Sequence, residues 1–165
     1  MEGLGGEIVA IDALAARRRS LGRLVMTSGG FDPIHPGHIS CIIESAAYGD
    51  ALVVVVNGDG FLREKKGRPF QDCETRCLIV SGVRGVDFVV PYDAPGDQTV
   101  AGALEVIRPA VFTKGGDRVD ASSIPEWDVC SRLGIEVVTG LGLSKEWSSS
   151  RFLEEWSRSG EPSSG

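Results

Sequence analysis

Short apolar runs alternate along the chain with segments whose apolar residues recur every three or four positions. Residues 51–56 (Ala-Leu-Val-Val-Val-Val) are continuously apolar, as expected of a strand buried on both faces of a parallel sheet. Runs at 23–28, 86–90, 110–113 and 135–138 predict four more strands. Between them the period lengthens. Residues 8–19 put Ile8, Ile11, Leu14 and Ala15 on one helical face. A helix starting near Pro36-Gly37-His38 runs through Ile39, Ile42, Ile43 and Ala46 to Tyr48-Gly49-Asp50. Asp72 can cap another, with Thr75 at its third position and Leu78, Ile79 and Val83 following. Residues 98–107 predict a helix that stops before Pro109. Ser122 or Ser123 can cap one through Trp127, Val129 and Leu133, with Gly134 as its stop. A last helix spans Arg151 to Trp156.

Five strands alternating with helices predict an α/β fold, an open and doubly wound parallel sheet in one domain over residues 1–158. The small, polar tail 159–165 is expected to be disordered. Such sheets bind ligands beyond the carboxyl ends of their strands. The strand-end loops begin here at Gly29, Asn57, Pro91, Lys114 and Thr139.

Composition narrows the function. The 165 residues carry a net charge of −6, and the densest basic run, Arg17-Arg18-Arg19, reads as a solvated helix end. No nucleic-acid partner is expected. No apolar run approaches the roughly 20 residues that span a bilayer, and the first residues lack signal-peptide charge order, so a cytoplasmic location is expected. Cys41, Cys73, Cys77 and Cys130 read as reduced, without a metal role.

Both histidines of the chain, His35 and His38, fall in the first strand-end loop at a helix start. Unpaired backbone N–H groups there face an anion. Gly29, Gly30 and Gly37 let backbone approach a phosphate closely. Singly, each feature has a plainer reading: a cap, a surface residue, a turn. As metal ligands the two histidines lack a carboxylate at ligand spacing in the same helix. Combined, they suit a triphosphate.

The segment Gly29-Gly30-Phe31-Asp32-Pro33-Ile34-His35-Pro36-Gly37-His38 resembles the Gly-x-Phe-Asp-x-x-His-x-Gly-His motif of the cytidylyltransferase-like nucleotidyltransferase superfamily. The similarity runs from about Arg23 to Phe152. It includes Val56-Asn57-Gly58-Asp59, Lys65-Lys66-Gly67-Arg68-Pro69, Cys73-Glu74-Thr75-Arg76, Lys114-Gly115-Gly116-Asp117 and Ser148-Ser149-Ser150. The Lys-Gly-Gly-Asp segment looks most like the heptose-1-phosphate adenylyltransferases, with the glycerol-3-phosphate cytidylyltransferases as close relatives.

The resemblance implies a Rossmann-like fold and transfer of a nucleoside monophosphate to a small phosphorylated acceptor, with release of pyrophosphate. ATP and a sugar phosphate are favoured; CTP with glycerol 3-phosphate is the alternative, and a non-catalytic regulatory module ranks third. His38 should donate to the α-phosphate and His35 to the β-phosphate, with Lys65 or Lys66 closing over the phosphates from a Gly-flanked loop. Gly29, Gly30, Phe31, Asp32 and Gly37 should surround the nucleotide. Lys114, Gly115, Gly116 and Asp117 should read the base, and Ser148, Ser149 and Ser150 should hold phosphate. Arg76 should reach toward the acceptor phosphate or the nucleotide, and Asp59 should help orient the acceptor or a network on the histidine side. The relatives carry Ile-Ser-Thr-Thr where this chain has Trp147-Ser148-Ser149-Ser150. Magnesium should be held mainly by the nucleotide phosphates, with no protein metal site, and a homodimer is expected.

Overall fold

The apolar runs form one parallel sheet in the computed structural model, which describes residues 2–116, 121–143 and 146–159. In chain order the elements are β1 (Glu7–Ile8), α1 (Ile11–Arg17), β2 (Leu24–Gly29), α2 (Pro36–Ser45), β3 (Ala51–Asn57), α3 (Asp59–Lys66) and α4 (Cys73–Ser81). Then come β4 (Phe88–Tyr92), α5 (Ala101–Ile107), β5 (Val111–Gly115), α6 (Trp127–Leu133), β6 (Glu136–Leu141) and α7 (Ser149–Ser159). The strand order is β1-β4-β3-β2-β5-β6, parallel throughout.

Alternation along β3 splits the core between the two faces of the sheet. Val53 and Val55 join Leu14 of α1, Leu104 and Ile107 of α5, and Cys130 of α6. Leu52, Val54 and Val56 join Ile42 of α2 and Cys77 and Val80 of α4. Leu52 through Val56 have no exposed surface, which explains why the run carries no polar residue until Asn57. The chain moves outward from β2 through β3 to β4, then returns to place β5 on the other side of β2. That reversal opens a crevice beyond the carboxyl ends of β2 and β5.

The sheet has six strands where the sequence predicts five. Glu7 and Ile8 pair with Phe88 and Val89 at the edge, so the helix predicted over 8–19 begins only at Ile11. A two-residue strand is too short to show an alternation. The loop predicted around Lys65 and Lys66 is helical as α3. Its sequence has few apolar residues, Phe61 and Leu62 being the large ones, and it is capped from a distant loop, where Asp93 accepts the amides of Gly60 at 2.8 Å and Phe61 at 3.0 Å. Asp72 caps α4 through the amide of Thr75 as predicted. Ser122 and Ser123 lie in a separate 3-10 turn, and α6 starts later, at Trp127. The final helix begins at Ser149 and ends at Ser159; the rest of the predicted disordered tail lies outside the described residues. Among the described residues no helix is long and apolar enough to cross a membrane.

Candidate active site

A cleft of about 400 Å³ sits at the strand reversal, large enough for a nucleotide. His35 caps α2 from an extended backbone, and Pro36 occupies the first helical position, where its missing N–H costs nothing. The Nδ1 of His35 accepts the amide of His38 at 3.3 Å. When the ring is neutral its proton therefore resides on Nε2. The two imidazoles stack with centroids 3.6 Å apart and 18° between planes. Phe31 presents its edge to His38 at 5.2 Å. It holds that position with a left-handed φ of 51°, its ring lying against Gly29, where a β-carbon would come within 3.0 Å.

Electrostatics keep both rings neutral. Burial and the neighbouring His35 press the pKa of His38 down to about 3, and burial lowers that of His35. The Nδ1 of His38 is buried without a hydrogen-bond partner among the described residues.

The two lysines at the end of α3 have different surroundings. Lys65 lines the cleft and lies 5.7 Å from the Phe61 ring centroid. Lys66 turns away to Asp32, bonding its carboxylate and its backbone carbonyl, each at 2.8 Å. Asp32 does not line the cleft, contrary to expectation. Its carboxylate is 2% exposed and also accepts the amides of Phe70 and Gln71, both at 2.7 Å. Burial raises its pKa, but Lys66 and the two amides outweigh that and hold it below the usual carboxylate range.

Arg76 and Asp59 also stand outside the cleft lining. The Arg76 side chain has no exposed surface. It donates to the carbonyls of Asn57 at 2.6 Å, Gly30 at 2.8 Å and Gln71 at 2.9 Å, and to Asp59 at 2.7 Å. This guanidinium therefore fastens two strand-end loops together from beneath, out of reach of an acceptor.

Lys114, Gly115 and Gly116 line the cleft from the end of β5; Asp117 lies outside the described residues. A β-carbon on Gly115 would approach the Cys41 sulfur to 3.0 Å, so this glycine lets β5 pack on α2. The loop after β6 is tied to the same helix: Leu143 N–H donates to Ser40 and Gly142 N–H to Glu44, both at 2.8 Å. Two of the three serines expected to hold phosphate make hydrogen bonds within the protein. Ser149 donates to the Pro33 carbonyl at 2.7 Å, and Ser148 accepts the Arg151 amide at 3.4 Å. Trp147 lines the cleft; the three serines stand outside its lining. Asn57, quoted in the resemblance without a site role, lines the cleft, as do Gln98, Thr99 and the buried Glu126, which lie outside every motif segment. Asn57 is marked in the sequence as the first polar residue after an apolar strand; the other three carry no such mark.

A parallel sheet with this strand order, carrying glycines, a histidine-headed helix and lysines at its reversal, defines a domain of nucleotidyltransferase type. The chain belongs to the cytidylyltransferase-like family, whose profile matches residues 26–138. It is 39% identical over 131 residues to a protein of Methylococcus capsulatus named Bifunctional protein HldE, covering 77% of this chain and 27% of that protein. A protein of Koribacter versatilis with the same name is 34% identical over 142 residues, covering 82% and 28%. The chain thus spans about a quarter of the length of these curated relatives. Among solved structures it is similar to the lipopolysaccharide core biosynthesis protein of Thermoplasma volcanium, with a TM-score of 0.62, 27% identity, and 74% and 98% of the two chains covered. It shares its fold with the pantoate-beta-alanine ligase of Francisella tularensis, with a TM-score of 0.60, 14% identity, and 90% and 73% covered.

Proposed function

We propose that this domain transfers adenylyl from ATP to a sugar phosphate such as a heptose 1-phosphate and releases pyrophosphate. The observation that carries the reading is the stacked, neutral pair His35 and His38 at the start of α2, facing a cleft that Lys65 and Lys114 also line. An acceptor phosphate oxygen attacks the α-phosphorus while the bond to the bridging oxygen breaks. The electron pair leaves with pyrophosphate. A phosphate nucleophile is already ionised near neutral pH, so no general base is needed and positioning dominates. His38 donates to the α-phosphate and the Nε2–H of His35 to the β-phosphate. Lys65 supplies positive charge over the leaving group, while Lys66 holds the Asp32 loop.

Magnesium would spread the charge of the triphosphate. Its ligands would come mainly from the phosphates and water. A sugar acceptor is supported by the likeness to the Thermoplasma volcanium protein, and ATP by the Lys114-Gly115-Gly116 segment. The family's cytidylyltransferase-like character favours the second reading, CTP with a small phosphate.

Pyrophosphate release with ATP or CTP, against heptose 1-phosphate and glycerol 3-phosphate, tests both. Release is expected with ATP and heptose 1-phosphate, and His38→Ala should lower it on the order of 10²–10³-fold. No release with any pair, or undiminished release by the variant, would overturn the reading.

A further inference from the structure

Glu126 precedes α6 and is 3% exposed, yet it lines the cleft. Its Oε1 accepts the Val100 amide at 3.2 Å. Its Oε2 is buried with no hydrogen-bond partner among the described residues. Lys114 Nζ, 3.5 Å from Oε2, balances its charge but is too distant for a good hydrogen bond. Native structures rarely leave a buried carboxylate oxygen without a donor, because its lost hydration is not replaced. A donor from a molecule entering the cleft would satisfy it.

Two parts of the cleft lining differ in chemistry. The α2 wall carries the histidines, with Leu143 and Trp147 beside them. It suits phosphates and a flat base. The segments ahead of α5 and α6 contribute Gln98, Thr99 and Glu126 to the lining. They suit a ligand rich in hydroxyls. We propose that Glu126 is a specificity residue for the acceptor, its Oε2 accepting an O–H from a polyhydroxylated sugar phosphate. This rests on the transferase reading above, and it names the group that distinguishes a sugar acceptor from a bare phosphate.

Calorimetric titration of the full chain, wild type and Glu126→Gln, with heptose 1-phosphate, inorganic phosphate and ATP provides the test. The conservative variant keeps the acceptor for Val100 and replaces a charge-assisted bond by a weaker neutral one. Heptose 1-phosphate should bind the variant roughly tenfold more weakly, with inorganic phosphate and ATP changed less than about twofold. Monodeoxy analogues need no variant: one of them should lose about the same factor against wild type, and nothing further against Glu126→Gln. Equal sugar-phosphate affinities overturn the proposal, as does a loss confined to ATP or a wild type that binds the sugar phosphate no better than inorganic phosphate. Because binding is read without turnover, a wild type that binds the sugar phosphate but releases no pyrophosphate refutes transfer alone.

Discussion

The imidazole rings of His35 and His38 lie face to face at 3.6 Å, while the Nδ1 of one accepts the backbone N–H of the other. Two imidazolium ions could not hold that arrangement. The motif thus does more than supply two donors: burial favours the neutral form of both rings, and His35 adds to that at His38.

A pH dependence follows. His38 has an ordinary pKa of 6.5 and titrates near 3 when folded, so the unfolded chain binds a proton that the folded chain refuses. Stability from this residue is complete above pH 6.5 and is lost as pH falls toward 3. Asp32, whose folded pKa also lies low, adds a loss only near and below its ordinary 3.8. NMR titration should show a neutral His38 ring at pH 5 in the folded protein. Unfolding midpoints of His38→Asn should slope less with pH between 6.5 and 4 than those of wild type. An unchanged slope would count against the neutral stack.

The two lysines of α3 should separate cleanly. Lys66 bonds a nearly inaccessible Asp32, so Lys66→Ala leaves a buried carboxylate with two amides only; urea unfolding should show a loss of about 1–2 kcal/mol. Lys65 is exposed and lines the cleft. Lys65→Ala should leave stability within about 0.5 kcal/mol. It should lower pyrophosphate release on the order of a hundredfold.

Arg76→Met tests the fastening beneath the cleft. Removing the guanidinium strands the carbonyls of Gly30, Asn57 and Gln71 and leaves Asp59 unpaired. A buried charge network broken on one side costs about 3–5 kcal/mol. Urea denaturation should register that loss, and proteolysis should first reach the loop after α3, which Asp32 and Arg76 hold through Gln71.

How far the fold was legible follows from where each signal lay. The central strands are continuous apolar runs, so their burial could be read directly, as could the histidine-headed helix with its proline and glycine. The short α3 could not, because Asp59–Lys66 offers little besides Phe61 and Leu62 to an apolar period, and its cap, Asp93, comes from beyond β4. Arg76 and Glu126 look like any surface charge in sequence. Their burial depends on carbonyls and amides that only the folded loops bring together. Asp32 sits inside the motif, yet its partners Phe70 and Gln71 lie far along the chain, so a residue with the motif's signature proved to be a clamp.

Gly37 offers a last test that separates the site from the fold. It occupies the first turn of α2, where alanine is a better helix former than glycine by up to about 1 kcal/mol. Yet a β-carbon there would lie 3.1 Å from the His35 ring and 3.7 Å from the Trp147 β-carbon. The ring must shift by a few tenths of an ångström, and it is held by a stack and a 3.3 Å hydrogen bond that tolerate little displacement. Gly37→Ala should therefore unfold within about 1 kcal/mol of wild type, while its KM for the nucleotide rises and its turnover falls by roughly tenfold. Gly67→Ala should behave in the opposite way. No atom stands near its β-carbon, but its φ of 89° strains any other residue. That variant should lose about 1 kcal/mol of stability and keep its KM. Equal behaviour of the two alanines would mean that Gly37 serves only the backbone, and the geometric coupling between Gly37 and the His35 ring would have to be abandoned.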